Sequence, residues 1–187
     1  MRNRNRAPKN SVTHEKDSCG SYYEGERLAL LLKSIHKEIE STKTLEGNSL
    51  PEKFWFKQQF AIGVNEVTRV LERMSPVSES GSSLQRSHMC NNHKVPSVHL
   101  QAILIASDCN PKWLTRHLPS LASSRKVPLI FVKDKRGGSL RLGELVKLKT
   151  AIAIGVKARG NAINEIVEGI LCGNETKLNE MPSTPCQ

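Results

Sequence analysis

Apolar residues recur along this chain at two spacings, one typical of amphipathic helices and the other of buried strands. Helical spacing predicts a helix from Glu24 to Glu40, with Leu28, Leu31, Leu32, Ile35 and Ile39 on its apolar face. Short apolar runs predict strands at residues 98–106, 127–132 and 150–156. Strands that alternate with helices indicate a layered α/β domain.

Further helices are predicted between these strands and after the last one. One is expected over residues 110–124, although Pro119 can distort it. A short helix is expected at residues 140–146. The last helix starts at Gly160-Asn161 and places Ile163, Ile166, Val167 and Ile170 on one face.

A different pattern covers residues 57–73. A short extended segment, Gln59 to Ile62, is broken at Gly63 and followed by a helix whose apolar face holds Val67, Val70 and Leu71. A glycine permits a backbone turn there that a side chain would resist. Asn65 lies at or near the helix start, where its side chain can cap a free amide and where the helix favours an anionic partner.

Polar segments divide the chain around one predicted domain at residues 50–170. Residues 1–21 are expected to be a disordered basic tail, and residues 22–49 an N-terminal amphipathic helix with its linker. Residues 74–97 are rich in serine, asparagine and histidine and are expected to be an inserted loop, whereas 171–187 form a second disordered tail.

Three consecutive aromatic residues, Phe54, Trp55 and Phe56, precede the segment that is broken at Gly63. Exposed aromatic rings can stack on nucleic-acid bases. Core packing is nevertheless the expected role of at least two of the three, because large aromatic side chains contribute much of a core's buried area.

Charge is unevenly distributed over the 187 residues. The chain has a formal net charge of +10, and residues 51–170 hold 18 lysines and arginines against nine acidic residues. A basic field of this kind attracts and holds phosphate groups. The predicted domain is therefore expected either to bind a polyanion or to be simply a soluble basic domain.

Other function classes find little support in the sequence. The five cysteines, at positions 19, 90, 109, 172 and 186, are odd in number and scattered, so no disulfide framework is expected. A reducing intracellular compartment follows from this usage. No apolar run reaches the length of a membrane span, and no apolar signal core follows the basic N-terminus.

No metal, cofactor or catalytic site is predicted. His88, Cys90 and His93 form a weak zinc pattern that lacks a well-placed fourth ligand. Residues 155–162 have the glycine spacing of a P-loop, but Asn161-Ala162 stands where Lys-Ser/Thr is required. Asn164-Glu165 repeats Asn65-Glu66 without the preceding glycine, and we interpret that repeat as coincidence.

The run Gly63-Val64-Asn65-Glu66-Val67-Thr68-Arg69 resembles the signature of the kink-turn RNA-binding ribosomal proteins, the group that contains archaeal ribosomal protein seven-Ae. The usual pattern in that family is Gly-Ala/Thr-Asn-Glu-x-Thr-Lys, so Arg69 replaces a lysine. The charge is kept, but arginine is larger and bidentate. The longer run from Phe60 to Arg73 resembles most closely the branch that serves ribonuclease P and ribonuclease MRP.

The resemblance, which covers about residues 54–170, implies a three-layer α-β-α sandwich around a small mixed sheet. It also implies a binding site for a bent RNA duplex with sheared G·A pairs. Asn65 and Glu66 would read bases and Arg69 would hold the backbone, with Gly63 setting the turn. A second element of the family, the loop before the last strand, corresponds to residues 146–150; there Leu148 would pack on a flipped base while Lys147 and Lys149 bind phosphates.

The resemblance leads us to expect a noncatalytic RNA-binding subunit of a nuclear ribonucleoprotein, with ribonuclease P/MRP as the first candidate and a nucleolar location. The expected partners are structured RNA and other protein subunits, with no membrane and no small-molecule substrate. One alternative is a ribosomal or small nucleolar ribonucleoprotein component. Another is a protein-interaction adaptor on the same fold.

Overall fold

The computed structural model describes residues 20–45, 50–75 and 98–172, which form six α-helices and five β-strands. The strands are β1 (Gly20–Glu24), β2 (Phe60–Ile62), β3 (Leu100–Ala106), β4 (Leu129–Lys133) and β5 (Ala153–Lys157). The helices are α1 (Gly25–Leu45), α2 (Glu52–Gln59), α3 (Val64–Arg73), α4 (Leu118–Ser124), α5 (Gly138–Leu145) and α6 (Ala162–Leu171). A 3₁₀ turn at Lys112–Leu114 precedes α4.

The strands form one mixed sheet in the order β1-β4-β3-β5-β2. Strand β4 lies parallel to both β1 and β3, whereas β5 is antiparallel to both β3 and β2. Phe60 pairs with Val156 and Ile62 with Ile154. Strand β2 is thus an edge strand, and helix α3 begins where this edge ends.

Helices cover both faces of the sheet and bury two hydrophobic cores. Helices α1, α2, α5 and α6 pack on one face, where Leu28, Ile35, Phe60, Leu104 and Ile163 are among the buried residues. Helices α3 and α4 pack on the other face, around Val67, Leu71, Ile103 and Leu118. The three-layer α-β-α sandwich and the mixed sheet expected from the resemblance are therefore confirmed.

The predicted N-terminal boundary was wrong. Residues 20 and 21, assigned to the disordered tail, belong to strand β1, which pairs along its whole length with β4. Tyr23 packs into the larger core, and Tyr22 stacks on Phe131 with 4.8 Å between the ring centroids. Helix propensity and periodicity do not reveal a five-residue edge strand whose side chains are mostly exposed.

Two helix boundaries also differ from those predicted. Helix α1 continues to Leu45, so five residues of the expected linker are helical. The helix expected over residues 110–124 is divided into a 3₁₀ turn and α4, which begins at Leu118. Pro119 explains this start, because a proline is accommodated in the first turn of a helix but not in its interior.

The aromatic run divides as expected, since Trp55 and Phe56 are buried and Phe54 is exposed. The last helix begins as predicted, with Asn161 as its cap. Most of the two predicted tails and nearly all of the inserted loop lie outside the described residues. No helix in the described ranges combines the length and apolarity that crossing a bilayer requires.

Candidate functional site

Helix α3 starts from a backbone conformation that glycine adopts readily. Gly63 has φ 93° and ψ 156°, and its N–H donates to the Ala153 carbonyl oxygen of β5 at 2.8 Å. Its own carbonyl accepts the first helical bond, from the Val67 N–H at 3.0 Å. A side chain at this positive φ would be strained. Gly63 therefore fixes the beginning of α3 against the strand beside it.

The signature side chains occupy the first two turns of α3. Val67 and Leu71 point into the smaller core, whereas Asn65 and Arg69 are exposed. The expected capping role of Asn65 was wrong, because Gly63 is the cap position and no side chain caps this helix end. Asn65 is at the second helical position, where its amide group faces solvent.

Glu66 and Arg69 are paired with each other. Arg69 Nη1 donates to Glu66 Oε2 at 3.0 Å, and both side chains are about half exposed. An exposed pair one turn apart on a helix is weak. A ligand that offers donors to the carboxylate and a phosphate to the guanidinium can therefore replace this pair at little cost.

The second predicted element, residues 146–150, is held by the C-terminal end of α5. The Leu148 N–H donates to the Gly143 carbonyl oxygen at 2.9 Å, and the Lys147 N–H to that of Glu144 at 3.3 Å. Lys147 has φ 54°, a left-handed conformation that turns the chain out of the helix. Leu148 and Lys149 are consequently exposed beyond this turn.

The two elements line one open groove with a volume of about 700 Å³. Glu66 from α3 and Lys147 and Leu148 from the α5–β5 turn contribute to its walls. Its other lining residues are Glu52, Lys53, Phe56, Lys57, Phe60, Ile62, Val146 and Lys157. Gly63, Asn65, Arg69 and Lys149 do not line the groove, although the first three belong to the same helix start as Glu66. Glu66, Lys147 and Leu148, which were predicted to act together from distant parts of the sequence, thus share one surface.

The groove contains four lysines and two glutamates, but one lysine is already engaged. Lys147 Nζ lies 2.6 Å from Glu52 Oε1 and 3.2 Å from Glu40 Oε1. The hydrogen bond that Lys147 donates to Glu52, followed by the one to Glu40, raises the pKa of Lys147. Lys147 also lowers the pKa of Glu52, with Lys43 assisting from α1. In this arrangement the two acids partly neutralise Lys147.

Lys157 at the end of β5 is the second notable cation of the groove. Its Nζ donates to the Lys57 carbonyl oxygen at 2.5 Å. Burial lowers the pKa of its ammonium group, although the Glu66 carboxylate partly opposes that effect. A half-buried ammonium group of this kind is suited to bind an anionic ligand, because the opposite charge would compensate for the solvation that the group loses on burial.

Sequence reasoning missed Lys53, Lys57 and Lys157 as site residues. Lys53 and Lys57 are one turn apart on α2, a spacing that could have suggested a shared basic face. The position of Lys157 depends on the antiparallel pairing of β5 with β2, and the local sequence carries no signal for that pairing.

The repeated Asn164-Glu165 has a structural explanation. Asn164 is buried, and its side-chain N–H groups donate to Gln101 Oε1 at 2.7 Å and to the Lys157 carbonyl oxygen at 2.9 Å. Its Oδ1 accepts from the backbone N–H groups of Arg159 and Asn161, closing a capping box at the start of α6. This asparagine therefore anchors the end of β5 and is not available to a ligand.

Within the described ranges, no group of three His, Cys, Asp or Glu side chains could hold a metal ion. His88, Cys90 and His93 lie outside those ranges. Cys109 and Cys172 are both free thiols, the first buried and the second exposed.

The model of the Ribosomal protein L7Ae/L30e/S12e/Gadd45 family matches residues 93–166 of the chain. Over these residues the chain is similar to that family. The matched segment runs from just before β3 into α6 and includes the turn at residues 146–150. It is less than half of the chain, and the signature helix α3 precedes it.

The fold is also that of a solved structure described as the Giardia lamblia 15.5kD RNA binding protein. The TM-score is 0.50 at 18% sequence identity, and the similarity covers 84% of this chain and 93% of that protein. The chain therefore shares its overall architecture with that protein.

Proposed function

We propose that the chain is a noncatalytic RNA-binding subunit of a nuclear ribonucleoprotein, with ribonuclease P/MRP as the first candidate particle and the nucleolus as its location. The observation that carries the proposal is the shared groove. Glu66 at the start of α3 and Leu148 in the α5–β5 turn lie on its walls together with four lysines. The match of residues 93–166 to the family model and the RNA-binding protein of the same fold support this direction.

The chemistry of the groove and of the adjoining start of α3 suits a bent RNA element with exposed guanine edges. The Glu66 carboxylate can accept two adjacent donors from one guanine edge, and the Asn65 amide can both donate to and accept from another base. Arg69 supplies a planar pair of donors to a phosphate. Leu148 offers an apolar surface for an unstacked base, and lysines along the wall attract the backbone.

Ribonuclease P/MRP is proposed as the particle because of the signature sequence at residues 60–73. Residues 60–73 resemble the ribonuclease P/MRP branch over both the β2 edge strand and α3. In such a particle the catalysis belongs to the RNA, and this subunit would hold a bent element in place during the processing of precursor tRNA or rRNA. Other protein subunits of the particle are its expected neighbours.

A ribosomal or small nucleolar ribonucleoprotein component uses the same chemistry and is the first alternative. A protein-interaction adaptor is the second alternative. The basic domain and the intact Asn65-Glu66 pair favour an RNA partner over an adaptor.

The direct test is titration of the full chain with a kink-turn RNA. We expect the Asn65→Ala/Glu66→Ala double variant to bind about 10- to 100-fold more weakly, because several buried polar contacts to bases are lost. Glu72→Ala removes an exposed carboxylate from the same helix and is the matched control. Unchanged affinity in the double variant contradicts the proposal.

A second RNA tests whether the shape of the ligand matters. The same duplex with its sheared G·A pairs replaced by Watson–Crick pairs should compete poorly, because its guanine edges are no longer accessible. Sequencing of the RNA that copurifies with the tagged chain from its own cells then separates the particles. Ribonuclease P or MRP RNA supports the first candidate, and guide RNAs support the small nucleolar alternative.

A further inference from the structure

Trp113 is a large aromatic side chain that the protein leaves 70% exposed. It lies in the 3₁₀ turn at Lys112–Leu114, between the exposed residues Lys112 and Arg116. The other tryptophan, Trp55, belongs to α2 and is buried in the larger core. Core packing does not explain this exposed indole ring, which two exposed cationic residues flank in the sequence.

Helix α4, which follows this turn in the chain, is attached to the signature helix α3. His117 Nε2 lies 2.7 Å from the Thr68 hydroxyl, which donates its own proton to the Val64 carbonyl oxygen at 2.8 Å. At the other end of α4, Arg125 Nε donates to the Leu71 carbonyl oxygen at 3.1 Å. Two polar contacts and the smaller core therefore hold α4 against α3, and the Trp113 turn lies just before α4 in the chain.

All the charged side chains in the sequence segment that contains the turn, residues 109–133, are positive. From residue 109 to residue 133 the chain contains five lysines and arginines and no aspartate or glutamate. Such a segment is suited to a phosphate backbone and poorly suited to a basic protein partner. Aromatic rings flanked by cations are the common means of holding unpaired nucleotides, because every base offers a face for stacking.

We propose that Trp113, with Lys112 and Arg116, is a stacking site for an unpaired nucleotide that extends from the RNA bound at α3. The inference rests on the proposed function, since the groove and the start of α3 bind the bent duplex and the Trp113 turn leads into α4, which packs on α3. The base stacks on the indole ring, and the two cations contact its flanking phosphates. The site thus recognises single-stranded RNA adjoining the duplex.

The test compares one kink-turn RNA with and without a short single-stranded oligouridine extension. The extension should strengthen binding to the wild-type chain about five- to tenfold, the scale of one stacked base. Trp113→Ala should remove that gain and leave the affinity for the unextended RNA unchanged. Trp113→Phe should keep part of the gain, because a smaller ring still stacks.

Tryptophan fluorescence gives an independent measurement. Only the extended RNA should quench the emission of the exposed tryptophan, and Trp113→Phe should abolish the quenching while buried Trp55 continues to emit. Tyr22→Ala, which removes another exposed aromatic ring on the edge strand β1, is the control and should not affect the gain from the extension.

The outcomes separate this inference from the proposed function. If the unextended RNA binds through Asn65 and Glu66 but the extension adds no affinity and no quenching, the stacking site is wrong and the proposed function stands. If the wild-type chain binds neither RNA, both are wrong. If Trp113→Ala leaves RNA binding intact and instead loses protein subunits of the particle, the turn serves a protein partner and the inference is overturned.

Discussion

The side chains of Lys147 and Glu52 join two segments that are 95 residues apart, with 2.6 Å between Nζ and Oε1. Glu52 begins α2 and Lys147 lies in the turn after α5, so the contact joins two of the segments that line the groove. Glu52 also accepts from Lys43 of α1 at 2.5 Å. One carboxylate thereby positions the turn that carries Leu148 and lowers the positive charge available to RNA.

Glu52→Gln should therefore strengthen RNA binding. The substitution releases Lys147 from its strongest partner and raises the charge of the groove by one, which we expect to tighten binding roughly two- to threefold at ~0.1 M salt. The dependence of affinity on salt concentration should become steeper. Filter binding or fluorescence anisotropy over a range of salt concentrations measures both quantities.

Glu144→Gln is the matched control for this prediction. Glu144 pairs with Arg141 on α5 at 3.2 Å, does not line the groove, and its substitution produces the same change in net charge. An equal gain in affinity from both variants would mean that overall charge, and not the release of Lys147, explains the effect.

Arg69→Gln should weaken binding by roughly three- to tenfold and reduce the salt slope by about one, because one phosphate contact is lost. The loss should be similar for every RNA that carries the bent element, since a phosphate contact carries no sequence information. Arg73→Gln removes an exposed arginine one turn further along α3 and serves as the control. Identical slopes for the wild-type chain and Arg69→Gln would contradict the assigned role.

The free energy of unfolding should depend on pH in the alkaline range because of Lys157. Its pKa in the folded chain is lowered below the ordinary value of 10.5 by burial, so folding carries the cost of a buried ammonium group at neutral pH. That cost disappears as the pH rises from the lowered pKa towards 10.5, because the group then loses its proton. Relative to Lys157→Met, the wild-type chain should become more stable over this window.

Urea unfolding of both proteins at several pH values measures the difference. A difference in the free energy of unfolding that stays constant up to pH 10.5 would contradict the effect of burial. Lys157→Met should also weaken RNA binding at neutral pH, which distinguishes a ligand-binding ammonium from a purely structural one.

The sequence predicted the helices and strands that have a strong local signal. The apolar spacing of Leu28, Ile35 and Ile39 in α1 and the apolar run of β3 needed no tertiary information. Strand β1 could not be found in this way, because it is short and exposed and is stabilised by pairing with β4. The end of α1 at Leu45 was also missed, since polar residues carry the helix past its apolar face.

The site was predicted in part. Gly63 and the residues after it form a local motif, so their positions at the start of α3 could be expected. The engagement of Lys147 by Glu52 and Glu40 could not, because it requires α1, α2 and the α5–β5 turn to meet. Long-range contacts of this kind decide which cations remain available for a ligand.

Asn164→Ala should lower the free energy of unfolding by about 2–3 kcal/mol, because the half-buried Gln101 side chain and three backbone groups lose partners. Thermal or urea unfolding measures the loss. Glu165→Ala at the exposed neighbouring position should leave both stability and RNA affinity unchanged. A loss of RNA affinity in Glu165→Ala would instead indicate that the repeated Asn-Glu pair reads RNA.

Gly143→Ala should both destabilise the fold and weaken RNA binding. An added Cβ would lie 2.7 Å from the Leu148 carbonyl oxygen and equally close to the backbone N and Cα of Thr150, so the turn at residues 146–150 has to move. We expect a stability loss of about 1–3 kcal/mol from this overpacking. RNA binding should weaken as well, because Leu148 is displaced from the groove wall.

Gly169→Ala provides the matched control for Gly143→Ala. Gly169 lies within α6, and nothing lies within 4 Å of a Cβ added there. Alanine should therefore stabilise the helix by about 0.5–1 kcal/mol and leave RNA binding unchanged. If Gly143→Ala destabilised the fold but bound RNA with wild-type affinity, the position of the 146–150 turn would not matter for recognition, and Leu148 would lose its assigned role.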